Sequence, residues 1–376
     1  FHMKISRQIF YFISISLICL HLFILSKTEF IDWPEMILYP WLLKNGYKLY
    51  TDLLIPYQPL TVLILKLYYT LTSFTPSALR LFHSFLTVAT DFTVLTIVQI
   101  TTASFPAALF GLGLYVFWHP TIEGNGLWFD HFAVPTLLFA FFFTYRALFG
   151  INPKRNSMYA ALFLGLSLLI KQTMLWSLFP IIASMTLAKF LYKKSTHIKI
   201  LFSILFGSLL FPICQGLYYL VIGKFNQYFL WVYQFGFDLR NDRNYLIPPN
   251  LIGDYPLIIL VIISLIIFLA HLVILRLNRS SQKLNFIEFK NIFVFLWMTT
   301  SLLTMFPRWT LTHFQTSLVF VIIATVFFLQ KLKRHKISVI FLAIIVGVTS
   351  KNFLSFVRHY SHQQFRFYNS QTREQI

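Results

Sequence analysis

The chain has 376 residues, 57% of them hydrophobic and 19% aromatic, only 11% charged, with a formal net charge of +19. That composition excludes a soluble globular domain, because apolar runs near 20 residues recur along the chain and each is long enough to cross a bilayer about 30 Å thick. The positive charge does not indicate nucleic acid: Lys and Arg fall in short loops between apolar runs, which is the positive-inside pattern. Only α-helices satisfy their backbone groups internally over such runs, and the short alternating segments of a β-barrel are missing, so the reading is an all-α polytopic membrane protein.

In chain order, the apolar runs lie at about 6–27, 59–74, 79–100, 104–118, 129–149, 157–171, 173–192, 198–222, 256–276, 289–306, 314–330 and 337–354. The first follows Lys4 and Arg7 without a small-residue cleavage site, which predicts a retained helix rather than a cleaved signal. Cys19 and Cys214 both lie inside apolar runs, with no metal-ligand spacing and no expected disulfide. Five basic loops, around Lys4/Arg7, Lys154/Arg155, Lys189–Lys199, Arg276–Lys290 and Lys331–Lys336, share one side only if the 59–74 run does not cross. That run opens with Gln58-Pro59 and holds Lys66 in its middle, so it is expected to lie in the interface with its lysine snorkelling to the headgroups. About eleven spanning helices result, in a single domain over 1–376, with outer loops at 28–78, 119–128 and 223–255. Ten of the twelve acidic residues then fall on the outer side, which points to a polar, partly acidic cavity there, against the blander reading that acids simply avoid the positive face.

The first outer loop reads FIDWPEMILYPWLLKNG over 30–46. Pro34 suits a first helical turn, which makes Asp32 an N-cap and Glu35 its capping-box partner. The functional alternative, compatible with capping, is a carboxylate that takes a proton from an acceptor hydroxyl. The second loop, HPTIEGNGLWFDHFAVP over 119–135, carries Glu123, Asp130 and His131. Asp130 is a functional candidate because it is ionisable near the end of a span. Neighbouring side chains diverge by about 100° on a helix, which opposes joint metal ligation by Asp130 and His131. In GLSLLIKQTMLW over 165–176, Lys171-Gln172 marks a third outer turn, read either as a snorkelling lysine or as a cation aimed at a lipid phosphate. In FPRWTLTHF over 306–314, Arg308 and His313 sit on an outer turn, where Arg308 either forks onto a phosphate or pairs with a carboxylate. The 223–255 loop, rich in aromatic residues ahead of Asp238, Arg240, Asp242 and Arg243, either covers the cavity and stacks on a sugar or rests on the bilayer. In the second span, His83, Thr87 and Asp91 share a stripe, read as a packed polar seam with a proton path as the sharper alternative. Phosphate-loop, dinucleotide-binding and zinc-finger spacings are lacking.

Taken in order, the Asp32/Glu35 motif, the LLKNGYKLYTDLLIPYQPL continuation, Asp130 opening a helix, the GLSLLIKQT turn and PRWTLTHF resemble the GT-C membrane glycosyltransferases, in particular the polyprenyl-phosphate-sugar mannosyltransferase-like group of family 39 type, over most of the chain. The resemblance implies a GT-C fold and an inverting transfer of a sugar from a polyprenyl-phosphate donor to a lipid, glycan or protein hydroxyl at the outer membrane face, with no nucleic-acid partner. It implies Asp32 as base with Glu35 as neighbour or alternate, Asp130 as a second acid of the site, and Lys171, Gln172, Arg308, His313 and Tyr57 near the substrate or its phosphate. A divalent metal on Asp32, Asp130 and His131 stays open. The chain departs from the family where two residues separate Asp32 from Glu35, and where Tyr57-Gln58-Pro59 stands in place of a lysine before two prolines. The rival reading is a flippase or transporter for a lipid-linked sugar, which calls for ionisable groups near the bilayer midplane.

Overall fold

A computed structural model describes residues 6–192, 195–235, 256–277, 286–305, 311–332 and 335–374. Among them there are no strands, only helices and two isolated bridges. The helices are α1 (Arg7–Lys27), α2 (Glu35–Lys44), α3 (Leu60–Leu71), α4 (Pro76–Thr102), α5 (Phe105–Trp118), α6 (Phe129–Phe149), α7 (Pro153–Leu168), α8 (Phe179–Tyr192), α9 (Ser195–Val221), α10 (Phe225–Phe229), α11 (Pro256–Leu277), α12 (Phe286–Leu303), α13 (Phe314–Leu332) and α14 (Ile337–Glu374). Each of the eleven runs expected to span falls on a helix. Among the described residues, seven stretches are long and apolar enough to cross by themselves: those built on α1, α4, α5, α6, α9, α13 and α14.

Helix boundaries follow local chemistry. Ser6, Thr75 and Ser104 each accept a hydrogen bond from a first-turn N–H, and Pro76 and Pro106 occupy positions that need no donor. Ala103 takes the left-handed conformation that stops α4, so α5 turns back against it.

The bundle is apolar inside and out. α13 is the central helix: it is buried almost throughout from Phe314 to Phe328, and it packs on α4, α5, α6, α11, α12 and α14. α1, α9 and α14 are peripheral, and they expose Phe12, Phe23, Phe206, Leu217, Val339 and Leu354. A folded protein in water does not surround itself with such residues, so these helices face lipid. α7 and α9 approach closely through small residues. A Cβ on Gly165 would lie 2.3 Å from Phe211, and one on Gly207 would lie 2.8 Å from Ala161. Gly165→Ala is expected to destabilise the protein by roughly 1–3 kcal/mol through overpacking. Gly113→Ala, with nothing within 4 Å, should be neutral or stabilising because it removes a helix glycine. Thermal midpoints in detergent check both, and equal midpoints for the two variants would contradict the close α7–α9 approach.

Hydrogen bonds gather the functional loops at one end of the bundle. Arg80, near the start of α4, donates to the carbonyls of Leu25, Ser26 and Thr28 at the end of α1. Asn125 donates from its side chain to the Thr28 and Glu29 carbonyls, and Ile31 N–H donates to the Asn125 carbonyl at 2.8 Å. Gln172 donates to the Pro56 carbonyl, Thr312 to Glu123, and Gln315 to the Ile122 carbonyl. α3 belongs to this end at both of its own ends: Leu60 N–H donates to the Leu169 carbonyl, and the Tyr68 hydroxyl donates to the Ala78 carbonyl. At about 18 Å for twelve residues, α3 is too short to cross. It buries Val62, Leu65 and Tyr69 and exposes Leu63, Leu67 and Leu71 in a stripe, as a helix lying along the bundle and meeting lipid on its far side does.

Candidate functional site

Asp130 enters at the first turn of α6, where the helix dipole favours a carboxylate. Lys171 follows the turn that ends α7, and His313 closes the short 3₁₀ turn Leu311–His313 that leads into α13. These three elements converge on one carboxyl group. The Lys171 ammonium donates to both Asp130 oxygens, at 2.9 and 2.8 Å, and His313 Nδ1 stands 2.9 Å from Oδ2. Lys171 and His313 are themselves 3.2 Å apart, and all three are buried. Lys171 is therefore held on a buried carboxylate rather than extended towards headgroups, and Asp130, Lys171 and His313 together join α6, the turn after α7 and the turn before α13.

The first loop has a different character. α2 begins at Glu35, directly after Pro34, with no side-chain cap, so the capping box read from Asp32 and Glu35 does not form. The reason lies in a long-range pairing: Ile31 pairs with Gly126, and the chain runs out of that bridge through Asp32 and Trp33 before Pro34 starts the turn. Asp32 is exposed. Glu35 is half-buried, and its Oε2 is enclosed with no hydrogen-bond partner, as is Trp33 Nε1. Burial, with the Glu35 charge added, pushes the Tyr39 hydroxyl above its usual range, which places Tyr39 near that carboxylate.

An aromatic floor runs from here into the second loop. The Trp33 and Trp128 rings lie 4.9 Å apart, Trp128 and Tyr57 5.6 Å, and Tyr57 stacks on Phe129 at 4.0 Å. Gln58 anchors the far side. It donates to the Tyr233 hydroxyl and accepts from Gln215 and from the Tyr228 hydroxyl. Next to it a groove of about 670 Å³ opens between α3, α7 and α9, lined by Pro59, Leu63, Leu169, Phe211, Cys214 and Tyr218 among others. Sequence reading singled out Tyr57 and Gln172 but missed Gln58, Trp33 and Trp128. Tryptophans flanking two loops that must meet were the available signal.

Deeper in the bundle lies a second polar system. Asp91 on α4 takes both of its oxygens to His21 Nδ1, each at 3.0 Å, and His21 Nε2 lies 3.0 Å from His119 Nδ1. His83 and His131 border the same space. The His83–Asp91 stripe is thus a packed seam, but its partners come from α1 and the end of α5; His21 and His119 carried no signal beyond being polar residues in apolar runs. A metal set of Asp32, Asp130 and His131 does not assemble. Asp130 is held by Lys171, and His131 Nδ1 accepts from the Trp128 N–H at 3.3 Å. Arg308, and the loop charges Asp238, Arg240, Asp242 and Arg243, lie outside the described residues.

Comparison with protein-family models, with curated proteins and with solved structures finds no match for this chain.

Proposed function

We propose that the chain is an integral-membrane glycosyltransferase of GT-C type that moves a sugar from a polyprenyl-phosphate donor to an acceptor hydroxyl, in the cell membrane and at its outer face. The observation that carries this reading is a lipid-facing groove beside a run of packed aromatic rings that leads to the two carboxylates of the first loop. Pro59 lines the groove; Tyr57, two residues before it, meets Trp128, which meets Trp33, the neighbour of Asp32 in the turn before Glu35. An isoprenoid chain fits the groove by its chemistry, and in this reading the sugar meets the aromatic run at Trp33, where Glu35 Oε2 and Trp33 Nε1, enclosed without partners, become one acceptor and one donor for its hydroxyls once the loop opens to admit it.

In the proposed reaction Asp32 takes the proton of the acceptor hydroxyl. That oxygen attacks the anomeric carbon from the side opposite the phosphate. The bond from the anomeric carbon to the phosphate oxygen breaks, and polyprenyl phosphate leaves with both electrons, so the anomeric centre inverts. Arg308 is the proposed cation for the leaving phosphate, since Lys171 is committed to Asp130.

The buried Asp91–His21 pair within spanning helices favours a second reading, a transporter or flippase for a lipid-linked sugar. One experiment separates them. Purified protein is given a labelled sugar on a polyprenyl monophosphate, once in detergent with acceptor lipids and once in sealed liposomes. Covalent transfer of label to an acceptor is the expected result. Movement of intact donor across the liposome membrane without transfer would replace the glycosyltransferase reading with the second one.

A further inference from the structure

The seam under the loops contains three imidazoles arranged around one small space. His83 comes from α4, His119 from the end of α5 and His131 from the first turn of α6. Their ligand nitrogens all lie within 4.8 Å of one another, and all three residues are buried. The cavity they border leaves about 10 Å³ for the centre of a water molecule, room for one small occupant. Two ring nitrogens of this group, His83 Nε2 and His131 Nε2, are enclosed with no hydrogen-bond partner. Polar atoms buried in an apolar bundle are normally satisfied, and two in one group ask for an occupant.

The surrounding hydrogen bonds decide what kind. His83 Nε2 has no hydrogen-bond partner, so it can offer a lone pair when the proton sits on Nδ1. With Asp91 accepting from His21 Nδ1, His21 Nε2 accepts from His119 Nδ1–H. His119 Nε2 is then also a lone pair. A carboxylate, reached through an intervening imidazole, thereby fixes the tautomer of a ring, the arrangement that orients metal-binding histidines. Gly124 lets the loop fold this closely: a Cβ there would fall 2.1 Å from the His119 carbonyl oxygen and 2.7 Å from its Nδ1. A tetrahedral ion with metal–nitrogen bonds of about 2.0–2.1 Å holds its ligands about 3.3 Å apart, so the three rings need inward rotations on the order of an ångström. His131 must exchange its long bond from the Trp128 N–H for the ion, with its proton moved to Nδ1.

We propose that His83, His119 and His131 bind one divalent transition-metal ion of zinc type, pinning α4, α5 and α6 together beneath the loops, with Asp91 and His21 as positioning residues. Imidazoles without thiolate or hard oxygen ligands select zinc and its neighbours over magnesium or calcium. The proposal stands apart from the glycosyltransferase reading, because its test measures occupancy and stability and needs no turnover.

The full-length protein is purified in detergent, freed of any histidine tag, stripped with chelator and titrated with Zn²⁺ and with Co²⁺. About one ion per chain, the visible absorption of tetrahedral Co²⁺, and a rise in thermal midpoint on Zn²⁺ addition are expected. His83→Gln and His131→Gln should abolish all three. Asp91→Asn should retain the site with affinity weakened 10–100-fold, as an outer-shell change does. Wild-type protein that binds neither metal after loading, holding water only, overturns the proposal, and so does stoichiometric binding that survives His83→Gln. Should the variants fail to fold, the wild-type Co²⁺ spectrum alone decides: no tetrahedral absorption, no site.

Discussion

Lys171→Met is expected to lower the stability of the protein by about 3–5 kcal/mol, because it strands the Asp130 carboxylate in a buried site. The side chains of Lys171 and Asp130 are 4% and 0% exposed, so water cannot take the place of the missing ammonium. His313, at 2.9 Å, can supply a single hydrogen bond where Lys171 supplies two. The reverse change, Asp130→Asn, leaves an ammonium that can still donate to the amide oxygen and to His313, so the loss should be smaller. With His313 the pair holds together the ends of α6 and α7 and the turn before α13, and the midpoint loss should therefore be accompanied by faster proteolysis in the 169–172 turn. A double-mutant cycle over Lys171→Met and Asp130→Asn, read from thermal unfolding in detergent, should give a coupling energy of at least about 1–3 kcal/mol. Additive single effects would mean that the two groups do not form this ion pair in the membrane protein.

What the sequence made legible was the part governed by local pattern. Apolar run length located the eleven long runs, each of which falls on a helix, while the short helices α2 and α10 lie outside those runs; the 59–74 run, expected at an interface, is α3, whose two ends are tied to the loop end of the bundle. The divergence of adjacent helix side chains also anticipated that Asp130 and His131 serve different partners. What stayed hidden was pairing across distance. Lys171 meets Asp130 over 41 residues, and His21 meets Asp91 over 70. In each case one member reads as an isolated polar residue in an apolar run, because hydrophobic periodicity reports which residues face the core and says nothing about which buried donor finds which acceptor. The capping box failed for the same reason. Asp32-Trp33-Pro34-Glu35 has suitable local spacing, but pairing of Ile31 with Gly126, 95 residues along the chain, draws the backbone away from a cap.

That failure sharpens the functional expectation for the first loop. A capping aspartate would be occupied by the helix N-terminus; Asp32 instead makes no hydrogen bond or ion pair among the described residues and is exposed. Asp32→Asn should therefore leave the thermal midpoint unchanged while reducing transfer from a polyprenyl-phosphate sugar by about 10²–10⁴-fold, the range for a lost general base. The fall should appear in kcat, with the KM for donor little changed, since the donor is held by the groove and the aromatic floor. Glu35→Gln predicts the complementary pattern. Its enclosed oxygen has no partner, and in the proposed reading it accepts from a sugar hydroxyl once the loop admits the donor, so the main effect should be a higher donor KM. If the two signatures are exchanged, with kcat lost in Glu35→Gln and Asp32→Asn silent, the base is Glu35 and Asp32 takes no part in the transfer. If neither substitution moves kcat, a carboxylate of this loop does not accept the proton, and the inverting mechanism drawn through it fails even though transfer itself is observed.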